Sequence, residues 1–431
     1  MKILNSLRYL GWRMLDMTKN DSVHKRLKNI ENVMEDDSNY KKYIEEKLKA
    51  LTEYATKETN YYSLYQGHAF EEFPVINKNI IMDLFEDFES KEYINRQVHT
   101  MSTSGSTGRP FKIKQDFGKR NQVLAEIMYF SGIVGYKVGR KMVYLRNLES
   151  TLTKSAIKQF VQNESVIATQ KYDDDTIGSI VDQLIHMERG TTILGYASTL
   201  QMIASYMERH NMHASNITGI ISGAEAITSK TRKLVNKQFG CPVVSRYSNQ
   251  EMGILAQDFE EDEFLLNRAS YYFEVLKMDK DEKAEIGEMG RIVITDLYNY
   301  AMPMIRYDTG DLGIMKKNKN GREYLAKVLG RKLDLLYTTK DEPLSFFAID
   351  EYFEPNFDIE QYQFIQEDRT HLTVNVLMKK GKSIDENWCI DGIKKVMGED
   401  CIVSINYLDT VPITNSGKFR YVICNYKPEE N

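Results

Sequence analysis

The chain has 431 residues, 42% hydrophobic and 28% charged, with 57 basic side chains against 62 acidic ones and a formal net charge of −5. That length exceeds what one hydrophobic core ordinarily serves, so two or three domains are expected, and the mildly acidic balance excludes a nucleic-acid binder working by bulk charge. The four cysteines (Cys241, Cys389, Cys401, Cys424) form no CxxC pair, which argues against a disulfide framework or structural zinc site, and no apolar run reaches the ~18 residues of a spanning helix.

The first segment, MKILNSLRYLGWRM (1–14), is apolar but interrupted by Arg8 and Arg13. No small-residue cleavage site follows it, so it reads as a helix packed on the main body rather than a signal peptide. A surface-lying amphipathic helix is the alternative. Residues 1–70 are helical in pattern, with KKYIEEKLKALTEYA (41–55) the clearest case; its interleaved Glu and Lys mark a solvated face.

TSGSTGRP (103–110) packs two glycines, one proline and four hydroxyl side chains into eight residues. Glycine allows close backbone approach, and Ser and Thr offer hydroxyls and exposed amides, so the loop could cradle a phosphate. Arg109 and Pro110 after Gly108 rule out the Walker pattern. On composition alone an ordinary turn is the plainer reading.

From Val138 onward, short β-rich runs alternate with helical ones. KMVYL (141–145), TTILGY (191–196), ITGIIS (217–222) and CPVVSRY (241–247) read as strands, and STLQMIASYMERH (198–210) and TSKTRKLVNKQF (228–239) as helices. That alternation indicates a layered α/β body. GEMGRIVITDL (287–297) opens a more β-rich region. Beyond Arg331, QYQFIQ (361–366) and LTVNVLM (372–378) read as a hairpin. NWCIDGIKKVMG (387–398) reads as a helix and CIVSINYL (401–408) as another strand, so a small α+β domain ends the chain. Expected divisions are 1–70, a helical region packed on the main domain; 71–331, the main domain; and 332–431, the small C-terminal domain.

Four downstream segments bear on the hydroxyl-rich loop. SGAEAIT (222–228) is a compact turn containing Glu225. YSNQEMG (247–253) sets Tyr247 near Glu251. RYDTGDLG (306–313) combines Arg306 with Asp308 and Asp311. NSGKFR (415–420) places Lys418 after a glycine. Together they supply phosphate-facing amides, a flat aromatic face, carboxylates for ribose or magnesium, and a mobile cation, the needs of a nucleotide reaction that develops charge on phosphate. Each also has a plain structural reading. Glu251 can cap a helix, Asp311 can form a turn, Arg306 can pair with Asp308, and Lys418 can be one more surface lysine. Tyr129, Phe130 and Tyr196 could wall an aromatic pocket or fill a core. His186, His210 and His213 show no ligand spacing.

In these motifs, with FPVINKNII (73–81), GRKLDLL (330–336) and PITNSGKFR (412–420), the chain resembles the adenylate-forming superfamily. Within it, the chain is similar to the phenylacetate–coenzyme A ligase branch and its capsule-biosynthesis relatives. The similarity runs in order from about residue 73 to 422. It implies an α/β adenylate-forming fold with a large multi-sheet N-terminal domain and a small α+β C-terminal domain. It also implies adenylation of a carboxylic acid by ATP with release of pyrophosphate, followed by acyl transfer to coenzyme A. Carried over by position, Thr103, Ser104, Gly105, Ser106, Thr107 and Gly108 would hold the triphosphate. Gly223, Ala224 and Glu225 would line the adenine and acyl pocket, and Tyr247 would lie on adenine. Glu251 would bind Mg²⁺, Asp311 the ribose, and Arg331 ribose or phosphate. Lys418, Glu251 and Thr107 would be catalytic. The implied partner is a small-molecule carboxylic acid in the cytoplasm, with no nucleic acid and no transmembrane segment. A carrier protein, a polysaccharide precursor and a second copy of the chain are further partner readings.

The ligase branch carries GR-x-DD at its hinge. Here Leu333 stands at the first aspartate and Asp334 matches the second, and YTTKDEPLSFFAID (337–350) lacks the glycine-containing loop expected next. The resemblance therefore carries adenylation further than acyl transfer. Transfer to an amine, a hydroxyl or a carrier-protein thiol, in polysaccharide or secondary-metabolite biosynthesis, is the alternative. A non-catalytic nucleotide-binding scaffold would have no use for Lys418.

Overall fold

The structure is a computed structural model. It describes residues 2–20, 22–103, 111–146, 156–169, 174–260, 263–331, 336–344, 347–350, 358–379, 381–410 and 420–426. Residues 104–110, residues 332–335 and residues 411–419, which include Lys418, lie outside them. The chain divides into two compact units, one of residues 1–140 and 244–328, the other of 141–243 and 329–431.

The first unit opens with helices α1 (Lys2–Thr18), α2 (Ser22–Glu35), α3 (Tyr40–Glu58), α4 (Lys78–Asp83) and α5 (Phe85–Phe88). The antiparallel pair β1 (His99–Thr103) and β2 (Phe111–Gln115) and helix α6 (Phe117–Ile133) follow. Local chemistry sets the starts. The Asn77 Oδ1 accepts from the amides of Asn79 (3.0 Å) and Ile80 (3.1 Å) ahead of α4, and Asp116 accepts from the Lys119 amide (2.9 Å) ahead of α6. α1 meets the body on one side only. Asp16 caps α2 through the amides of Val23 and His24, each at 2.9 Å, and Trp12 packs beside Val23 and Ile30. Through that side α1 packs on α2. Its apolar side is exposed.

The second unit begins with β3 (Met142–Arg146), α7 (Ala156–Gln162), β4 (Glu164–Ala168), α8 (Asp174–Ile185), β5 (Thr191–Gly195), α9 (Ala197–Arg209), β6 (Ile217–Gly223) and α10 (Ser229–Phe239). Its strands run in parallel in the order β6-β5-β3-β4. The near-continuous burial of Val143, Leu145, Ile193 and Ile220 fits a parallel sheet covered by helices. α10 starts at the Thr228 cap and ends on Gly240 at φ +60°.

The chain then adds to the first unit β7 (Val243–Asn249), β8 (Gly253–Glu260), β9 (Glu263–Leu266), β10 (Tyr271–Leu276), β11 (Met289–Asp296), β12 (Tyr307–Lys317) and β13 (Glu323–Arg331). Their order is β10-β11-β12-β13-β9-β8-β7. One core cluster lies against them, including Phe73, Ile76, Phe111, Met252, Ile292 and Tyr307. Each such apolar side chain contributes about 2 kcal/mol by leaving water. Tyr129 and Phe130 belong to another core, in which Phe130 is fully buried with Val23 and Ile30 of α2 and Tyr129 packs beside them. They belong to this core.

The chain ends with β14 (Leu336–Tyr337), β15 (Pro343–Leu344), α11 (Phe347–Asp350), β16 (Ile359–Gln366), β17 (His371–Met378), α12 (Glu386–Met397), β18 (Ile402–Tyr407) and β19 (Val422–Cys424). The expected hairpin is β16 and β17, antiparallel, and the sheet order is β18-β17-β16-β19. Asp385 caps α12 by accepting from the Trp388 amide (3.1 Å), and α12 packs with Phe364, Val374 and Val376 over its own core. Within this unit the Arg209 Nη1 pairs with the Glu360 Oε1 (3.1 Å), the Lys379 Nζ with the Glu208 Oε2 (3.6 Å), and the Lys230 Nζ donates to the Ile359 carbonyl (3.2 Å).

Candidate functional site

The β1–β2 ladder closes with Thr103 opposite Phe111, so residues 104–110 join paired strand ends. Phe111 is buried with its ring parallel to that of Tyr307, centroids 6.4 Å apart. Tyr307 donates its phenol proton to the Glu251 Oε1 at 3.0 Å. The Lys78 Nζ lies 3.2 Å from the same oxygen and 5.5 Å from the centre of the Phe111 ring. Lys78 is brought there by a single parallel bridge between Ile76 and Tyr307, fixed by Ile76 N–H to the Arg306 carbonyl (3.0 Å) and Asp308 N–H to the Ile76 carbonyl (2.7 Å).

Glu251 is only 3% exposed. A carboxylate so buried needs a compensating charge and hydrogen-bond donors. The Lys78 ammonium and the Tyr307 hydroxyl supply them. Burial, reinforced by Glu251, holds the Tyr307 phenol well above its ordinary pKa, so it remains a donor.

Four hydrogen bonds fix the backbone around the Glu251 turn. The Gln115 Nε2 donates to the Glu251 carbonyl (2.8 Å), the Tyr271 Oη to the Met252 carbonyl (2.8 Å), the Met252 amide to the Asn249 Oδ1 (2.9 Å), and the Ile254 amide to the Glu126 Oε2 (3.2 Å). Gly253 has φ +132°, and a Cβ there would lie 2.7 Å from the Glu126 Oε2, so both backbone and space require glycine. Beneath the turn, the buried Lys119 Nζ pairs with the Asp296 Oδ2 (2.8 Å) and donates to the Tyr271 Oη (3.0 Å). Two buried carboxyls share that one ammonium, and burial pushes both Glu126 and Asp296 upward against the pull of Lys119.

Tyr247 and Asp311 come together as well. The Tyr247 Oη donates to the Asp311 Oδ2 (2.7 Å) and lies 3.3 Å from the Thr309 Oγ1. Burial and then Asp311 push this phenol well above its ordinary range, so it too stays protonated. Arg306 does not pair with Asp308. It has φ +53°, and its Nε and Nη2 bind Glu274, each at 3.2 Å, while Nη1 donates to the carbonyls of Glu71 (3.0 Å) and Phe73 (2.8 Å). Asp308 instead receives the Arg291 Nη1 at 2.9 Å. A left-handed backbone at a long side chain is strained, and these four bonds hold it in place.

In the second unit, β6 ends on Gly223, Ala224 follows at φ +65°, and the Glu225 Oε2 accepts from the Ser198 amide in the first turn of α9 at 2.9 Å. Glu225 thus shapes its turn by capping a helix. The remaining expected residues, Ser104, Gly105, Ser106, Thr107, Gly108 and Lys418, lie outside the described residues, as do the side chains of Thr103 and Arg331. The cysteines show no sign of activation. Burial pushes Cys241 up to about 12 and Cys401 up to about 11, which disfavours them as thiolate nucleophiles. Among the described residues no group of His, Cys, Asp or Glu forms a complete metal cage. Lys78, Tyr307 and Gln115 were not singled out from the sequence. Lys78 and Tyr307 sit inside two of the matching motifs, and that was their only signal.

Comparison with known proteins follows the same line. Residues 336–425 match the CapK C-terminal domain family. Protein CapK of Staphylococcus aureus is 23% identical over 374 residues, covering 83% of this chain and 80% of that protein. A phenylacetate-coenzyme A ligase of Aromatoleum evansii is 28% identical over 161 residues, 36% of this chain and 37% of that one. The crystal structure of a 2-hydroxyisobutyryl-CoA ligase in the postadenylation state with 2-HIB-AMP superposes with a TM-score of 0.71 at 17% identity, over 89% of each chain. ATP-bound MatB from Rhodopseudomonas palustris superposes with a TM-score of 0.53 at 18% identity, over 74% of this chain and 66% of that one. The chain is thus similar to CapK over most of its length and shares its fold with 2-hydroxyisobutyryl-CoA ligase.

Proposed function

We propose that the chain is an ATP-dependent acyl-adenylate-forming ligase that joins a carboxylic acid to coenzyme A, with Glu251 and Lys418 at the centre of its first step. The observation that carries this reading is the buried Glu251 carboxylate. It is braced by Tyr307 and Lys78, and the Tyr307 ring stacks on Phe111, the residue that directly follows TSGSTGRP in the sequence.

A carboxylate is a poor acyl donor, because its leaving group would be oxide. In the proposed first step one carboxylate oxygen attacks the α-phosphorus of ATP. The bond to the β-phosphate bridging oxygen breaks, and pyrophosphate leaves with its electron pair. In the second, a thiol loses its proton and attacks the acyl carbon, expelling AMP. No side-chain nucleophile is needed. The chain's task is to hold two anions together. Residues 103–108 would bind phosphate oxygens, and Asp311, oriented by Tyr247, would accept from ribose hydroxyls while the Tyr247 ring lies on adenine. Gly223, Ala224 and Glu225 would border the adenine and acyl groups, and Arg331 would reach ribose or phosphate. Lys418 would bridge the attacking carboxylate and the α-phosphate, with Thr107 assisting. Glu251 already holds a cation at its Oε1, so its setting fits Mg²⁺, which would supply charge neutralisation at phosphate.

Residues 332–431 would form the mobile domain, 71–331 the nucleotide- and acyl-binding domain, and 1–70 a helical region on it. The ion pairs Arg209–Glu360 and Lys379–Glu208 are partly exposed, and such pairs contribute under about 1 kcal/mol each. Breaking them is compatible with a rotation between half-reactions.

The acceptor has a second reading. The terminal domain matches CapK, and Leu333 stands where the ligase branch has aspartate, so an amine, a hydroxyl or a carrier thiol could replace coenzyme A. A panel of aromatic, hydroxy and sugar acids, assayed for AMP and acyl product with and without coenzyme A, separates these. Coenzyme A-dependent thioester is the expected product. Acid-dependent AMP release that coenzyme A leaves unchanged would assign another acceptor.

A further inference from the structure

We infer that α1 seats the protein on an anionic lipid surface, its exposed apolar face entering the headgroup boundary and its basic edges meeting acidic headgroups. This rests on α1 alone and not on the reaction proposed above. Ile3, Leu7, Leu10, Met14, Leu15 and Met17 are all at least half exposed, from 50% at Leu10 to 79% at Ile3. At 3.6 residues per turn they span an arc of about 160° on one side of the helix. The opposite side is occupied. Asp16 is buried and caps α2, Trp12 packs on the α2–α6 core, and the backbone at Asn5 closes against Gly139. The helix is therefore anchored through its mixed face and offers its apolar face outward.

Charge selects the occupant. Residues 2–20 carry Lys2, Arg8, Arg13 and Lys19 against the single acid Asp16, a net +3 in a chain of −5. By the same periodicity Arg8 flanks one edge of the apolar arc and Arg13 the other, Arg13 also pairing with the inward-facing Asp16 (3.7 Å), and Lys19 follows in the turn after α1. A broad apolar face bordered by Lys and Arg is the pattern of an interfacial helix, and basic borders favour acidic lipid. A second copy fits less well. A helix–helix seam uses a narrower stripe, and an isologous pair would bring like-charged edges together. Among the described residues no helix is long and apolar enough to cross a membrane, so the contact is peripheral.

The test is co-sedimentation of the full chain with large vesicles of equal parts phosphatidylglycerol and phosphatidylcholine, alongside vesicles of phosphatidylcholine alone. The wild type should pellet with the anionic vesicles and be released by high salt. L7E/M14E should bind at least about tenfold more weakly, with an unchanged melting curve and unchanged activity in the absence of vesicles. Lys19→Glu should weaken binding to a smaller degree while keeping the apolar face. A wild type that stays in solution with anionic vesicles overturns the inference. So does equal binding by L7E/M14E, and so does a dimer in sedimentation equilibrium that L7E/M14E dissociates without any vesicle binding.

Discussion

Lys418→Ala is expected to lower acid-dependent exchange of pyrophosphate into ATP by about 10²- to 10³-fold, the effect of removing one positioned donor from a developing negative charge. The argument is electrostatic. Attack of one anion on another develops further charge on phosphate, and a lysine touching both partners stabilises that transition state more than either ground state. Lys418 lies outside the described residues, and its role comes from PITNSGKFR. The terminal domain has its own core of Phe364, Val374, Val376 and Ile393, which the substitution leaves intact, so the melting temperature should not move. If the domain alternates between the half-reactions, thioester formation from supplied acyl-adenylate should survive the substitution. Equal exchange in variant and wild type would remove Lys418 from the chemistry.

Glu251→Gln is expected to cut the same exchange about 100-fold and to raise the Mg²⁺ concentration that supports it. Glutamine keeps the volume and can still accept from Tyr307, so the fold should be retained. What disappears is the charge beside the Lys78 ammonium. A purely structural ion pair makes a different forecast. In that case Lys78→Met and Glu251→Gln would both lower stability and neither would alter the Mg²⁺ requirement. If Glu251 binds the metal, Lys78 competes with it for the Oε1, 3.2 Å away, and Lys78→Met should lower the Mg²⁺ needed for half-maximal exchange. Identical Mg²⁺ curves for all three proteins would end the assignment.

Much of the fold was legible because period and capping agree locally. ITGIIS became β6 and TSKTRKLVNKQF became α10, which starts at a Thr228 cap and stops at Gly240. The β16–β17 hairpin and α12 were equally plain. What failed to show was long-range pairing. Arg306 stands two residues from Asp308, yet its positive φ turns it to Glu274, while Asp308 meets Arg291 across the β11–β12 ladder. Lys78 reaches Glu251 only because Ile76 bridges β12, a contact without local periodicity. Phe130 was ambiguous in sequence because aromatic residues suit pockets and cores alike, and the packing of α6 on α2 decides for the core. The apolar stripe of α1 was visible, but not which side of the helix would be covered.

The measurement that bears most directly on adenylation is exchange of labelled pyrophosphate into ATP, with intact protein, Mg²⁺ and a broad panel of carboxylic acids. At least one acid should drive exchange well above the acid-free background, without coenzyme A and with loss on chelation of the metal. Background exchange with every aromatic, hydroxy, amino and sugar acid, from protein that still binds ATP, would contradict the reading and leave a nucleotide-binding protein that makes no acyl-adenylate.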